Sequence, residues 1–490
     1  MRRKGWMLGM IVLLAAAARC NGDDDKIPSI PPHPDEALFG ARIPLTMTLL
    51  ETSNENLKRN VKIIFYGQSI VAGSWTKIVE DELRRRYPSA NLIVENRAIG
   101  GHTAPALVRC AVHDLYPFYP DLVVFHVYGG ETTGELERIF SNIRRYTTAE
   151  IMTFTHHTAW PREGGEEAVT KRTKSDDLSS DMTRYLAQKY DCELVEVRKE
   201  WDEYLKHHHL EAKDFLGDTV HPNAKGGQLL AGLMLRHFRY NTLFPAGWAD
   251  RVRTYEARRA LEEATDEITF TGEPWKVSGN GVLGASKDSA LRLEFDGNRV
   301  DVIAAAQSGE LGTTTIRIDG KAPSSFPEVY VATRPSSAPQ VWWPAVKRIT
   351  LGKDPVAEDW KLTITEISDD GRRYKYNIVG SVTGPDGNGS DATTFMSNSG
   401  RIIIEPRDFG IASACQYKKV KCPTGYEVTW KVVAMCMDTW QPQPLEDPAI
   451  EPFYTIVQGL KNTKHVLEII PNGDGPVPIK EIVVHRPPLR

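Results

Sequence analysis

The sequence predicts an α/β domain followed by an all-β domain, and two patterns lead to this fold class. Between residues 61 and 240, short apolar runs alternate with amphipathic helical patterns, as expected for a parallel sheet covered by helices on both faces. After residue 266 helical patterns become rare, and short alternating strands are separated by Asp-Gly turns, as in antiparallel sandwiches. With 490 residues, 41% of them hydrophobic, the chain can form two or three domains with their own cores.

The first domain is predicted to be a three-layer α/β/α sandwich. Its first strand is an apolar run rich in isoleucine, which is typical of a parallel sheet buried on both faces. The predicted strands are Val61–Tyr66, Ala90–Glu95, Leu122–Val127, Glu150–Thr155 and Glu193–Val197. The predicted helices are Trp75–Arg86, Ala104–Leu115, Gly134–Tyr146, Leu178–Lys189 and Ala224–Phe238. The polar, charged stretch 164–180 is predicted to be a mobile flap beside the site.

The second half is predicted to be a β-sandwich of jelly-roll type. Its strand candidates are Ala290–Phe295, Val300–Ala305, Thr313–Ile318, Trp360–Ile367, Tyr374–Val379, Arg401–Pro406, Tyr426–Ala434 and Val466–Ile470. A proline-rich loop at 334–344 contains Trp342 and Trp343. Exposed indoles could bind sugar rings, and Trp430 and Trp440 are further candidates. Burial in the core is the alternative, especially for Trp430, which lies in a strand pattern.

The N-terminus is predicted to direct export. Basic residues 2–4 precede a short apolar run at 6–18, which is typical of a secretory signal and short for a membrane span. Cys20 resembles the lipidated cysteine of bacterial lipoproteins, although Arg19 fits that pattern poorly, and cleavage after Ala17 or Ala18 is the alternative. We therefore expect a periplasmic, surface-attached or secreted protein, whose only membrane contact would be a lipid on Cys20.

The domain boundaries follow from these changes of pattern. We predict a signal segment at 1–20, a flexible tether at 21–45, the α/β domain at 46–240, a linker at 241–265 and the β-sandwich at 266–490.

Composition argues against nucleic-acid, metal and cofactor chemistry. The net charge is -4, without a basic stripe, so no nucleic-acid partner is expected. Adjacent histidines at 207–209 would point about 100° apart on a helix and could not converge on one ion. Cys415, Cys422 and Cys436 lack a nearby histidine and ribbon-like spacing, so a disulfide between two of them is the stronger expectation in an exported protein. We predict no metal and no cofactor.

Polar and glycine-rich clusters follow the ends of the predicted strands, which lie at one rim of a parallel sheet. In chain order they are Gly67-Gln68-Ser69, Asn96 to Thr103 with Gly100-Gly101, Gly129-Gly130-Glu131, His156-His157, and Asp218 with His221. This convergence predicts a site at that rim.

Ser69, His221 and Asp218 have the residue types of a nucleophilic triad. A serine hydroxyl needs a neighbouring base, normally a histidine held in its tautomer by a carboxylate. Pro222 discourages a helix through His221, so the aspartate and histidine could share one loop. The alternatives are structural: Ser69 could cap the next helix, and Asp218 could begin a turn while Asn223 caps the last helix.

Acyl transfer also needs N–H donors for the oxyanion. The backbone N–H of Ser69 and that of Gly100 or Gly101 are candidates, with a helix N-terminus nearby. A tight strand-to-helix turn is the alternative reason for the two glycines.

The lipase-type Gly-x-Ser-x-Gly elbow is absent. The blocks Gly67-Gln68-Ser69, Asn96 to Gly101 and Asp218-x-x-His221-Pro222 instead resemble the SGNH/GDSL hydrolase superfamily, over roughly residues 60–240. The Gly-Gln-Ser block is similar to that of carbohydrate esterases. This resemblance implies a flavodoxin-like fold, Ser69 as nucleophile, His221 as general base and Asp218 as its orienter. It also implies Ser69 and Gly101, with Gly100 beside it, as oxyanion donors.

The third block departs from the family pattern Gly-x-Asn, because Gly129-Gly130-Glu131 contains no asparagine. A carboxylate would repel the oxyanion, so Glu131 cannot replace the missing donor. The candidates for that role are the Gly130 N–H, His126, His156 and His157. We assign substrate binding to Gln68, Glu131, His156 and His157, with a structural role as the alternative for His156 and His157.

Taken together, the residues and the resemblance predict an exported serine esterase that removes acyl groups, in the first place acetyl, from a poly- or oligosaccharide. The alternative is a glycan-binding surface lipoprotein with weakened catalysis, which the missing asparagine would favour.

Overall fold

The computed structural model describes residues 26–160, 165–242, 250–265, 267–306, 309–443 and 447–490; the predicted signal segment and Cys20 lie outside them. The first unit contains five parallel strands: β1 (Asn60–Gly67), β2 (Asn91–Asn96), β3 (Leu122–His126), β4 (Glu150–Phe154) and β5 (Glu193–Val195). Their order, β2-β1-β3-β4-β5, is that of flavodoxin-like sheets, which bind ligands where β1 and β3 diverge. The predicted α/β fold is confirmed.

Seven helices cover the two faces of this sheet. They are α1 (Pro44–Thr52), α2 (Trp75–Arg86), α3 (Ala104–Asp114), α4 (Glu135–Tyr146), α5 (Gly165–Lys189), α6 (Val197–His207) and α7 (Ala224–His237). Side chains of α1, α2, α6 and α7 pack in one hydrophobic core. Side chains of α3, α4 and α5 pack in the core on the opposite face. The result is a three-layer sandwich.

Helices α1 and α6 were not predicted, and two further segments differ from their sequence-based predictions. From residue 165 onward the predicted flap forms the N-terminal part of α5, which is tied to α6 by the Arg198–Asp177 ion pair. The predicted tether is packed from residue 26 onward: the backbone N–H groups of Gly40 and Arg42 both donate to the buried carboxylate of Glu193. A local pattern of polar residues and prolines did not reveal these long-range partners.

The rest of the chain has the predicted all-β character, but its strands surround two cores. The first β unit comprises residues 252–329 and 435–485 and is built around one core. It contains β6 (Val252–Glu256), α8 (Ala257–Glu263), β7 (Ile268–Gly272), β8 (Lys276–Ser278), β9 (Gly281–Gly284), β10 (Ser289–Ile303) and β11 (Thr314–Ile318). The predicted linker therefore contributes β6, an edge strand of the main sheet.

The second β unit, residues 330–434, is inserted between β11 and the last strands of the first. It has its own core and contains β12 (Tyr330–Ala332), β13 (Thr350–Leu351), β14 (Glu358–Ile367), β15 (Tyr374–Gly380), β16 (Gly384–Ser390), β17 (Phe395–Met396), β18 (Ile402–Ile404), α9 (Ile411–Lys418) and β19 (Glu427–Ala434). The first β unit then resumes with β20 (Thr439–Trp440), β21 (Phe453–Pro471), β22 (Val477–Ile479) and β23 (Glu481–His485).

The predicted turn at Asp296-Gly297-Asn298 lies inside one long strand, β10, which pairs with both β21 and β23. The ladder with β21 changes register between Gly297 and Arg299. A Cβ on Gly297 would lie 2.3 Å from the carbonyl oxygen of His485. The glycine thus marks a bulge with close backbone approach rather than a hairpin.

Helix α3 joins the second β unit to the α/β unit. The Arg334 guanidinium donates to both carboxylate oxygens of Asp114, at 2.6 and 2.7 Å. His113 donates from Nδ1 to the Ala332 carbonyl at 2.7 Å and accepts at Nε2 from the Ile349 N–H at 2.9 Å. Burial lowers the pKa of His113 to about 4, which keeps the ring neutral as these two bonds require.

Within the described ranges, no helix is both long enough and apolar enough to cross a membrane.

Candidate active site

Ser69 lies just beyond the carboxyl end of β1, which is the strand between β2 and β3 in the sheet. The chain reaches it through Gly67, which has a φ of +158°. A Cβ at this position would lie 2.1 Å from the carbonyl oxygen of His126 on β3. Only glycine fits there, so the strand can end against β3 and turn toward the rim.

Ser69, His221 and Asp218 form one hydrogen-bonded chain. The Ser69 Oγ lies 2.8 Å from Nε2 of His221, and Nδ1 of the same ring lies 2.7 Å from a carboxylate oxygen of Asp218. With its Nδ1 proton donated to the carboxylate, the ring has a free lone pair on Nε2 that accepts the serine proton. The structure therefore brings together the three residues that the sequence singled out. Two of them, Ser69 and His221, are 152 positions apart in the chain.

The Asp218 carboxylate is held in its ionised form. Partial burial acts to raise its pKa, but the backbone N–H groups of His221 and Val220, together with the His221 ring, outweigh this and hold it at about 2. Both N–H groups donate to the same carboxylate oxygen at 2.7 Å. The side chains of His221 and Asp218 are 47% and 46% exposed, so the triad is open to a bulky substrate.

The loop that carries Asp218 and His221 is held from the end of β4. Nε2 of His157 donates to the Val220 carbonyl at 2.6 Å, and the Trp160 N–H donates to the Thr219 carbonyl at 2.9 Å. On the other side, the Asn223 side chain caps α7 by accepting from the Gly226 N–H. The predicted capping role of Asn223 and the triad geometry therefore coexist.

The Gly100-Gly101 pair forms a tight turn beside the serine. The His102 N–H donates to the Ile99 carbonyl at 3.1 Å, and Gly101 has a φ of +81°, as in the third position of a type II turn. Within the described chain, no acceptor is recorded for the backbone N–H of Ser69, Gly100 or Gly101. These three groups are available to a ligand.

A tryptophan of the second β unit holds this turn. Nε1 of Trp343 donates to the Gly100 carbonyl at 2.7 Å, and a Cβ on Gly101 would lie 2.9 Å from its ring. Because the peptide bond is trans, the N–H of Gly101 points to the side opposite the Gly100 carbonyl. The indole therefore fixes the plane of the peptide whose N–H is a candidate oxyanion donor.

The Glu131 carboxylate is engaged within the protein. It accepts from the Gly129 N–H at 3.0 Å and from the Ser179 hydroxyl at 2.6 Å. Gly130, with a φ of +80°, packs so closely on Ala104 that a Cβ would lie 2.9 Å from the alanine methyl. The third-block loop thus lies on the N-terminus of α3, with the acidic side chain drawn toward α5.

The histidines after β3 and β4 are interior residues, in contrast to the substrate-binding role predicted for two of them. His156 and His157 are fully buried, and His126 and His156 approach each other at 2.5 Å between ring nitrogens. Burial lowers the pKa of His126 to about 3 and that of His157 to about 4. Gln68 is also buried. The local pattern missed this because the groups that cover the two histidines, Ser180 on α5 and Trp201 on α6, lie far along the chain.

The four tryptophans proposed for sugar binding have different surroundings. Trp430 and Trp440 are core residues, exposed by 3% and 2%, so they cannot stack on a sugar. Trp343 is half-buried against the Gly100 turn, whereas Trp342 is 61% exposed. Nothing in the local sequence indicates that the Trp343 ring contacts a residue 243 positions away.

The described cysteines are free thiols. Cys415 and Cys422 are buried, and their thiols contact each other.

No family model matches the chain, and no curated protein matches it. Among solved structures, a two-domain esterase active on acetylated mannans is similar over 92% of this chain and 96% of its own, with 13% identity and a TM-score of 0.35. An acetylxylan esterase from Geobacillus stearothermophilus, solved as a catalytic mutant, is similar over 37% of this chain and 96% of its own, with 19% identity and a TM-score of 0.32. A GDSL-like lipase from Parabacteroides merdae ATCC 43184 is similar over 38% of this chain and 98% of its own, with 18% identity and a TM-score of 0.33.

Proposed function

We propose that this protein is a serine esterase that removes acyl groups from a carbohydrate. The acyl group that we propose first is acetyl. The observation that carries the proposal is the hydrogen-bonded chain from Ser69 through His221 to Asp218, at 2.8 and 2.7 Å. These are the distances at which a histidine acts as general base toward a serine hydroxyl. The similar structures described as acetylxylan and acetylated-mannan esterases agree with this choice of substrate.

The reaction would proceed in two steps through an acyl-serine. Nε2 of His221 takes the Ser69 Oγ proton while Oγ attacks the ester carbonyl, and the tetrahedral intermediate expels the sugar alkoxide, which takes that proton from His221. Water then attacks the acyl group while His221 takes its proton, and the second tetrahedral intermediate releases acetate as His221 returns that proton to the Ser69 Oγ. No cofactor takes part in either step.

The oxyanion would be bound by backbone N–H groups of Ser69 and of the Gly100-Gly101 turn. For the third donor, the three histidines are poorly placed because their side chains are buried in the interior. This leaves the Gly130 N–H among the four candidates. The Glu131 carboxylate accepts hydrogen bonds from Gly129 and Ser179, so it does not need to face the oxyanion. This arrangement weakens the alternative of a glycan-binding protein with impaired catalysis.

The test is acetate release from 4-nitrophenyl acetate and from acetylated plant polysaccharides by the wild type, Ser69→Ala and Ser74→Ala. Ser74 is a matched control, because it is exposed and its side chain does not cap the helix it precedes. We expect turnover by the wild type and Ser74→Ala, and its loss in a folded Ser69→Ala protein. Equal rates for the three proteins, or no turnover by any of them, would overturn the esterase proposal in favour of glycan binding.

Export is part of the same proposal, since a polysaccharide substrate lies outside the cytoplasm. The basic start, the apolar run at 6–18 and Cys20 support it. Metabolic labelling with a radioactive fatty acid in a bacterial host, comparing the wild type with Cys20→Ala, would test lipidation. A label that persists in Cys20→Ala would exclude Cys20 as the attachment point.

A further inference from the structure

Trp342 is the most exposed tryptophan of the described chain, and its position is unusual for a surface indole. Its side chain is 61% exposed, although it belongs to a loop whose neighbouring residues are buried. A large exposed aromatic ring on a rigid support is a frequent feature of binding sites, because it offers a wide apolar face at little entropic cost.

The indole of Trp342 lies beside the candidate nucleophile. A Cβ on Gly100 would contact the Ser69 Cβ at 3.5 Å and the Trp342 ring, at Cζ2, at 3.6 Å. The absence of a side chain at Gly100 thus leaves the serine and the indole facing the same space.

The loop holds this indole in place. The neighbouring Trp343 donates to the Gly100 carbonyl, and the Ala338 N–H donates to the Trp343 carbonyl at 2.7 Å. Ala338 and Val341 are buried in the core of the second β unit. A ligand stacking on Trp342 would therefore find a preformed surface, which lowers the cost of binding.

A cationic group lies beside the exposed ring. Nζ of Lys418 lies 5.9 Å from the centroid of the Trp342 ring, and Tyr417, which is 60% exposed, packs on the neighbouring Trp343 ring at 4.9 Å between centroids. An ammonium beside an apolar ring, with a phenol on the same loop surface, suits a ligand with both an apolar face and hydroxyl groups. A sugar ring has this character, whereas a lipid acyl chain would gain nothing from the polar groups.

We propose that Trp342 is a stacking platform for a sugar ring of an oligomeric glycan, in a subsite next to the acyl group attacked by Ser69. The inference rests on the proposed esterase function and narrows its substrate class to chains of at least two sugars. The second β unit is then part of the active site. Acetylated monosaccharides would be poorer substrates because they cannot occupy both positions.

The experiment compares kcat/KM on an acetylated oligosaccharide with kcat/KM on 4-nitrophenyl acetate, for the wild type, Trp342→Ala, Trp342→Phe and Tyr185→Ala. Tyr185 is a matched control: it is 52% exposed on α5 and carries Lys189 over its ring at 5.5 Å. We expect Trp342→Ala to lower the ratio of kcat/KM on the oligosaccharide to kcat/KM on 4-nitrophenyl acetate about tenfold or more. The change should come from a raised KM for the oligosaccharide. Trp342→Phe should keep most of the ratio, and Tyr185→Ala should keep all of it.

If Trp342→Ala leaves this ratio of kcat/KM values unchanged, the proposal is overturned. This holds whether the rates on the two substrates fall together or stay as in the wild type. A measurement independent of turnover separates this outcome from failure of the esterase function. Ser69→Ala should be retarded in a gel containing acetylated polysaccharide, and Ser69→Ala/Trp342→Ala should lose that retardation. If the double variant migrates like the single one, Trp342 does not bind the glycan.

Discussion

Trp343 and Gly100 belong to different units of the protein, yet the indole Nε1–H of one donates to the carbonyl oxygen of the other at 2.7 Å. This bond fixes the peptide that carries the Gly101 N–H, and it polarises that peptide so that its N–H becomes a better donor. The second β unit therefore acts on the candidate oxyanion site through the backbone.

Replacing Trp343 by Phe should lower kcat for 4-nitrophenyl acetate about tenfold, less than the 10²–10³-fold cost of deleting an oxyanion donor outright. The ring would remain, but the donor to Gly100 would be lost. KM should change little, because the interaction strengthens in the transition state. A raised KM with an unchanged kcat would show that Trp343 contributes only to substrate binding.

His157 should act as a positioning residue for the catalytic loop. Its Nε2–H donates to the carbonyl that precedes His221, so His157→Ala should lower kcat about tenfold or more, in line with the cost of an unsatisfied buried carbonyl. His157→Gln can donate from its amide and should recover part of the rate. Stopped-flow or steady-state kinetics on 4-nitrophenyl acetate would measure this. If the glutamine variant is as slow as the alanine variant, the hydrogen bond is not the cause.

The Asp218 carboxylate should make no contribution to the acid side of the pH dependence of kcat/KM. The pKa of Asp218 is held at about 2, so its carboxylate stays ionised throughout the measurable range and keeps orienting the ring that accepts the serine proton. An acid limb with a slope of two would show that Asp218 takes up a proton in this range.

Asp218→Asn should lose roughly ten-thousand-fold in kcat, because an amide does not stabilise the imidazolium.

The Arg334–Asp114 pair should stabilise the docking of the second β unit on α3. The Asp114 side chain is fully buried and that of Arg334 is 27% exposed. Arg334→Met leaves the carboxylate unpaired and should cost about 3 kcal/mol of unfolding free energy. Because burial raises the pKa of Asp114 despite Arg334, protonation would limit this cost. Arg334→Met/Asp114→Leu should recover much of the loss.

Calorimetry would measure both variants against Lys361→Met, a control on the same β unit. The Lys361–Glu427 pair is about half exposed, and such pairs contribute about 0–1 kcal/mol. A double variant no more stable than Arg334→Met would contradict the role assigned to the pair.

The candidate catalytic residues could be found from sequence because each lies at the end of a local element. Ser69 follows a buried strand, and the Asp218–His221 spacing next to Pro222 predicts one loop. Since parallel strands end at a common rim, the loops that follow them lie close together. The five strands and helices α2, α3, α4 and α7 were predictable for the same reason, as their patterns are local. Helices α1 and α6 were not predicted, and α6 stands between β5 and the loop that carries Asp218 and His221.

Features that depend on distant partners could not be predicted. Trp342 and Trp343 are equivalent in sequence, and only packing distinguishes the exposed ring from the one bound to Gly100. His156 and His157 follow a strand as a rim residue would, but Ser180 on α5 covers the first and Trp201 on α6 covers the second. The division of the β strands into two cores depends on pairing across more than 150 residues, as between Leu291 and Ile469.

The most direct test of the acyl-serine mechanism is to trap the acyl-enzyme on Ser69. Wild-type protein mixed with a slowly hydrolysed 4-nitrophenyl ester and quenched in acid should gain the mass of one acyl group on the peptide that contains Ser69. His221→Ala should acylate far more slowly, and Ser69→Ala should remain unmodified. An acyl group on another residue, or ester turnover by Ser69→Ala at the wild-type rate, would contradict the account.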